Sequence, residues 1–395
     1  MNCSHPRART IVMSVPTLQQ LASGEWQLSC AIGGHHVFFR AEMPLYAGPE
    51  PFLSAFLLPT MAMRRYLTSP VPVCETWLRN SRALRARAAD WWGFSSGGIL
   101  APEVQAPPHA DVGTEAHTGL FFSGGVDAFH SLSACRPRID KLIFIEGADT
   151  TLSDTTRREQ DRRLLQSAAA AAGLDLVIIA TNLREHPLFR RIGWWEAHGG
   201  ALAATAHALS MSLGAAIISG SVSMQPHGSH PDLIPTYSSR RLRLDVYAGG
   251  VPRWEKLRTI LADPIALQHL RVCWVHQTDG DNAMNCGVCE KCLRTLLQLE
   301  CLESGVTHGL PTFPADRLDE RLRRLKWIPP HVAPLWRHIA GQTSLPPSLR
   351  RQVCQLLKRS ERIRRSPLRM PPFLMDRYRH LRAAWSLHRH PGSAG

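Results

Sequence analysis

From residue 118 onward the chain alternates short apolar runs with longer amphipathic stretches. The runs occupy residues 120–122, 142–145, 176–179 and 215–218, and segments of helical length, 128–135, 155–172 and 194–213, lie between them. Apolar strands that alternate with helices predict an α/β fold: a parallel sheet with helices on both faces. Ligands then bind at the carboxyl ends of the strands. Those ends carry Ser123 to Asp127, Glu146-Gly147-Ala148-Asp149, Thr181-Asn182 and Ser219-Gly220-Ser221. Earlier in the chain, residues 26–32 and 35–40 flank Gly33-Gly34 and read as a hairpin. Residues 79–90, rich in Ala and Arg, read as a helix. The pattern divides the chain into a partly β N-terminal module (1–95), a Gly/Pro/Ala-rich linker (96–117), the α/β domain (118–310) and a helical, basic C-terminal region (311–395). No internal repeat and no Walker-type glycine loop is present.

Composition narrows the class without naming the chemistry. At 395 residues, 44% apolar and 20% charged, the chain reads as globular with room for a large core. No stretch approaches the ~20 apolar residues of a membrane span, and the first residues lack the apolar core of a secretory signal. Ten cysteines, scattered except for one tight group, suggest reduced thiols and a cytoplasmic location. The net charge is +14, and the last 46 residues hold twelve Lys or Arg against Glu361 and Asp376. Such a tail suits RNA or an acidic partner. Only five basic residues are Lys and 41 are Arg, which equally reflects a compositional bias.

Ser123-Gly124-Gly125-Val126-Asp127 follows the first apolar run and opens a helical segment. A strand, a glycine turn and a helix N-terminus together present backbone N–H groups and the positive end of a helix dipole to an anion. The glycines let the backbone approach closely. Ser123 adds a hydroxyl donor, and Asp127 can hold a cation that neutralises a polyphosphate. A second copy, Ser96-Gly97-Gly98, has no Asp and no helix behind it and reads as a loop.

Cys286, Cys289 and Cys292 stand at C-x-x-C-x-x-C, with Cys273 thirteen residues upstream. Four thiolates match a closed tetrahedral zinc site, and an iron–sulfur cluster needs the same number. The last ligands run into residues 290–303, apolar at Leu293, Leu296, Leu297 and Cys301, so they fall on the first turn of a helix, with Lys291 and Arg294 alongside.

The glycine loop resembles that of the PP-loop ATP pyrophosphatase superfamily, Ser-Gly-Gly-x-Asp-Ser, with Ala128 in the last position here. Together with the downstream cysteines it is similar to the 7-cyano-7-deazaguanine synthase branch, in which four cysteines bind zinc. The gap after Cys273 is longer than that family's, and the likeness covers about residues 118–303. It implies that 118–310 is a PP-loop ATP-binding domain using ATP, Mg²⁺ and Zn²⁺. Ser123 and the amides of Gly124, Gly125 and Val126 would cradle pyrophosphate, and Asp127 would hold Mg²⁺. Lys256 corresponds to the family's late lysine that reaches phosphate. Glu146, Gly147 and Gly220, at strand ends, complete the expected nucleotide-binding set. The implied activity is adenylation of a substrate oxygen followed by nitrogen attack, with release of AMP and pyrophosphate. The substrate would be a small molecule or a modified base.

Two other readings remain: a tRNA-modifying enzyme of the thiolation type, and a non-catalytic nucleotide-binding partner protein. An asparagine-synthetase-like amidotransferase is excluded, because Asn2 follows Met1 and Cys3 comes too late. The loop from Gln225 to Asp232 is either a pocket wall or a surface turn, and His198 and His207 read as helix-packing residues.

Overall fold

The computed structural model describes residues 10–94, 98–101, 117–221, 226–273, 284–314 and 317–365. The chain opens with β1 (Thr10–Val12), β2 (Thr17–Gln20), β3 (Trp26–Ile32) and β4 (His35–Ala41), then α1 (Glu50–Ala62), β5 (Tyr66–Thr68), α2 (Glu75–Trp92) and β6 (Ile99–Leu100). Alternation follows: β7 (His117–Phe121), α3 (Val126–Cys135), β8 (Lys141–Glu146), α4 (Thr155–Ala171), β9 (Asp175–Thr181), α5 (Trp194–Ala208), β10 (Leu213–Ser219) and β11 (Arg243–Tyr247). The rest is helical: α6 (Arg253–Leu261), α7 (Pro264–His269), α8 (Glu290–Leu302), α9 (Leu318–Arg324), α10 (Ala333–Ala340) and α11 (Pro347–Arg365).

Eight strands form one sheet in the order β11-β10-β7-β8-β9-β4-β3-β2. The first five run parallel. From β7 the chain moves outward to β8 and β9, then returns to the other side for β10 and β11. The order therefore reverses between β7 and β10, and a crevice opens at such a point beyond the carboxyl ends of the strands. Successive residues on each central strand serve opposite faces. Phe121, Ile143, Ile145 and Ile218 join one apolar cluster with α1, α2 and α5. Leu120, Phe122, Leu142, Phe144 and Ile217 join the other with α3, α4, α6, α8, α10 and α11. This is the expected parallel α/β layering, and burial on both faces explains why these strands read as unbroken apolar runs.

The expected boundary near residue 95 does not separate two sheets. The hairpin of β3 and β4 forms as anticipated, but β4 pairs antiparallel with β9 through Phe39–Thr181 and Arg40–Ala180. The Thr181 hydroxyl donates to the Phe38 carbonyl at 2.7 Å, and the Asn182 side chain bonds Phe38 N and His36 O at 3.0 Å each. The sheet is thus mixed, because an uncovered β9 would leave a row of unpaired backbone groups. Helix α1 was not evident from the sequence. Its residues 50–61 are all buried, so it shows no amphipathic period. Pro51 sits in its first turn and Pro59 in its last, where prolines do least damage.

The C-terminal region is likewise no free appendage as far as residue 365. Trp336, Ile339, Leu349, Val353 and Leu356 pack into the cluster around α8. Residues 366–395, most of the linker, and Ser96 and Gly97 of the second glycine turn lie outside the described residues. No helix among the described residues is long and apolar enough to cross a membrane.

Removing residues 1–116 would strip β4 from β9 and bare Phe121, Ile143, Ile145 and Ile179. The truncated chain is expected to bind a hydrophobic dye and to lose the cooperative melting of the full chain, measured by dye fluorescence and circular dichroism. A dye-silent, cooperatively melting fragment would restore the two-module division.

Candidate functional site

The loop after β7 is shaped by one residue in the left-handed region. Gly124 has φ +71°, and a Cβ there would lie 3.1 Å from Leu165 Cδ2 and 3.3 Å from Arg271 Cβ. Gly125 caps α3 without a side chain of its own, and the first amides of a helix have no carbonyl partner within it. Ser123 and Asp127 stand half-exposed on either side of this turn.

Lys256, from α6, connects the loop to the far side of the crevice. Its ammonium is 2.7 Å from Asp127 Oδ1 and also donates to the Gly220 carbonyl, while the side chain is 1% exposed. Gly220 is pressed against its neighbour, since a Cβ there would fall 2.5 Å from Gly249 Cα. One ammonium thus ties the turn after β7 to the turn after β10. Further cations surround it. Arg253, one turn earlier in α6, donates to Thr295 Oγ1 at 3.0 Å and Gln298 Oε1 at 3.4 Å. Burial, and then the charge of Arg294, lower the Arg253 guanidinium to about 10. Burial and the neighbouring Arg253 also lower the Lys291 ammonium, against the pull of Asp149 and Asp127. Cations that depress one another in this way mark a place where an anion would be stabilised.

Behind the loop lies a buried ion cluster. Arg271 donates its backbone N–H to Gly124 O at 2.7 Å and its guanidinium to Ser123 O at 3.3 Å. The same guanidinium grips Asp161 at 2.9 and 2.8 Å, and Asp161 also meets Arg157 at 3.0 Å and the Thr150 hydroxyl at 2.8 Å. Two residues on, Cys273 joins Cys286, Cys289 and Cys292, whose sulfurs all lie within 4.8 Å of one another. Cys273–Cys289 and Cys286–Cys292 are each 4.0 Å apart. A tetrahedral ion with metal–sulfur bonds of about 2.3 Å sets its sulfurs roughly 3.8 Å apart, so the group fits one metal ion. Asn285 joins both arms: its Oδ1 accepts from Val272 N at 2.7 Å and Cys273 N at 3.0 Å, and its Nδ2 donates to Leu270 O and Thr312 O. Hydrogen bonds from the other three thiols lower the Cys273 thiol, whereas burial and its thiol neighbours push Cys292 well up. Four thiolates this close would repel one another strongly, and a cation among them would relieve that repulsion.

Beyond the ends of β8 and β9 is a largely apolar cavity lined by Gly147, Ala148, Thr181, Arg184, Trp194 and His198, among others. The Arg184 guanidinium lies 4.4 Å over the Trp194 ring and donates to Ala148 O. The loop from Pro226 rests on α5, with Trp195 Nε1 donating to Pro226 O at 3.0 Å and Gly228 N to Trp195 O at 2.8 Å. It meets the cavity through His198, which bonds Ser229 at 2.8 Å. Gln225 lies outside the described residues.

Ser123, Gly124, Gly125, Val126, Asp127, Lys256 and Gly220 therefore come together, and Gly147 lines the adjacent cavity. Glu146 does not face this space. Its carboxylate is fully buried between Arg158 and Arg162. Burial alone would raise it, but hydrogen bonds from Arg162 and Arg158 hold it below its ordinary value. It anchors the turn and offers no carboxylate to a ligand. Sequence reasoning passed over Arg271, Asp161, Asn285 and Arg253. Asp161 sits among the charges of residues 157–163, which look solvated, and nothing local marks Arg271; only Asn285, beside Cys286, carried a positional hint. No protein-family model matches this chain, and no curated protein or solved structure matches it significantly.

Asp161→Ala leaves Arg157 and Arg271 buried without their counter-charge. Urea denaturation should show a loss of about 3–5 kcal/mol, the usual cost of breaking a buried pair from one side.

Proposed function

We propose that this protein is an ATP-dependent adenylating enzyme that activates an oxygen of a small-molecule or base-like substrate for attack by nitrogen, releasing pyrophosphate and AMP. The observation that carries the reading is Lys256, whose ammonium joins Asp127 and Gly220 across the crevice between β7 and β10.

The chemistry makes an electrostatic demand, because charge grows on the departing pyrophosphate. Donors fixed in advance stabilise that charge without reorganising. The amides of Gly124, Gly125 and Val126, the Ser123 hydroxyl and the cations Lys256, Arg253 and Lys291 supply them. Asp127, 33% exposed on its side chain, is the residue suited to Mg²⁺, which would neutralise phosphate oxygens when bound. Ala128 is 4% exposed and packs in the apolar cluster, so Ser123 alone provides the hydroxyl of the cradle. In the first step the substrate oxygen bonds to the α-phosphorus and the bond to pyrophosphate breaks. The nitrogen nucleophile then displaces AMP and gives up its proton. Neither step needs a covalent link to the protein.

The cysteine group favours zinc. Its sulfurs are close enough for one shared ion, and too close for a cluster in which each thiolate holds a different iron. Its link through Arg271 to the loop gives the metal a structural role in holding the cradle.

Asp127→Asn should retain the circular dichroism of the parent and lose about 10²–10³-fold in ATP-dependent pyrophosphate release, assayed with a cellular small-molecule extract as substrate pool. Unchanged release in that variant would refute adenylation at this loop. Elemental analysis of the purified chain should find zinc bound, without the visible absorption of iron–sulfur. Chelation should lower the melting temperature and weaken ATP binding together.

A further inference from the structure

A serine–histidine pair at the rim of the cavity has a geometry that the nucleotide chemistry does not use. His198 Nδ1 lies 2.9 Å from the Trp194 carbonyl, which can only accept, so Nδ1 carries the proton. The opposite nitrogen, Nε2, is therefore an acceptor, and Ser229 Oγ stands 2.8 Å from it as its donor. The base is oriented by a third group and the hydroxyl is within transfer distance, which is the arrangement of an activated nucleophile. His227 Nδ1 flanks the same hydroxyl at 3.3 Å. His227 is 3% exposed, and its Nε2 has no hydrogen-bond partner among the described residues. Gly199 and Gly228 let loop and helix touch: a Cβ on Gly199 would collide with the Gly228 carbonyl. The pair is thereby held in register rather than left to a swinging loop. Burial also lowers the His198 imidazole, which keeps it in the neutral form a base requires. Ser229 itself is half-buried, and its partner His198 lines the cavity.

We infer that Ser229 is a nucleophile for acyl transfer, with His198 as its general base, acting on an ester whose acyl part enters the cavity beneath Trp194 and Arg184. Ser229 Oγ bonds to the ester carbon as its proton passes to His198 Nε2. The bond to the leaving alcohol breaks, and His198 returns the proton to that alkoxide. Water then repeats the sequence on the acyl-serine and releases the acid and the free hydroxyl. No nucleotide takes part, so this activity stands or falls apart from adenylation.

The test treats the full chain, without nucleotide, with a biotinylated fluorophosphonate. Ser229 Oγ bonds to phosphorus, and fluoride and the hydroxyl proton leave. The expected result is a phosphonate mapped to Ser229 by tandem mass spectrometry, absent from Ser229→Ala. In His198→Gln, which keeps a hydrogen-bonding side chain but no base, labelling should slow about 10²–10⁴-fold at an unchanged melting temperature. Failure of the parent chain to label, or a label that maps to another serine, would overturn the assignment without depending on how either variant folds.

Discussion

The site depends first on Asp161, a carboxylate with no solvent exposure on α4. An isolated charge in that position would cost several kcal/mol, so it must be paired and fully hydrogen-bonded. Arg157, Arg271 and Thr150 meet that requirement, and each partner carries the constraint elsewhere. Arg271 holds the backbone of Ser123 and Gly124 and leads within two residues to Cys273. Thr150 accepts the Gly147 N–H at 3.0 Å through its carbonyl, which fixes the turn after β8. One buried charge therefore sets the positions of the glycine loop, the neighbouring strand end and the cysteine group.

A second constraint follows from the sheet order. Because β7 and β10 are neighbours whose following segments diverge, the crevice between them has backbone ends on both sides but little to close it. Lys256 fills that gap, and its 1% exposure means that its charge is stabilised by Asp127 and the Gly220 carbonyl rather than by water. Arg253 and Lys291 add positive charge close by at some electrostatic cost to one another. Three cations thus stand close together beside a helix N-terminus, whose own dipole adds positive potential there.

The N-terminal hairpin and α1 matter to the same site indirectly. By covering β9 they bury Ile145 and Ile179, and with α5 they build the wall against which the cavity forms. His198 illustrates what a sequence reading misses there. On the sequence it is one polar residue in an Ala/Gly-rich helix, and packing was the natural reading. Its partner Ser229 is 31 positions away, and only the docking of the loop on Gly199 joins the two.

What the sequence determined by itself is local. Strand runs, the hairpin at Gly33-Gly34, the glycine turn before α3 and the cysteine spacing each follow from periodicity or chemistry within about twenty residues. The same holds for the mutual proximity of Cys286, Cys289 and Cys292, which the turn at Gly287 and the N-terminus of α8 enforce. Tertiary structure alone decided that β4 would complete the sheet, that Glu146 would turn inward to Arg158 and Arg162, and that Arg271 would bridge the loop and the cysteine group. The reason is physical. Pairing of backbone edges and neutralisation of buried charge are satisfied by whichever residues the fold brings near, and Asp161 and Arg271, 110 positions apart, are joined by that requirement and by no sequence pattern.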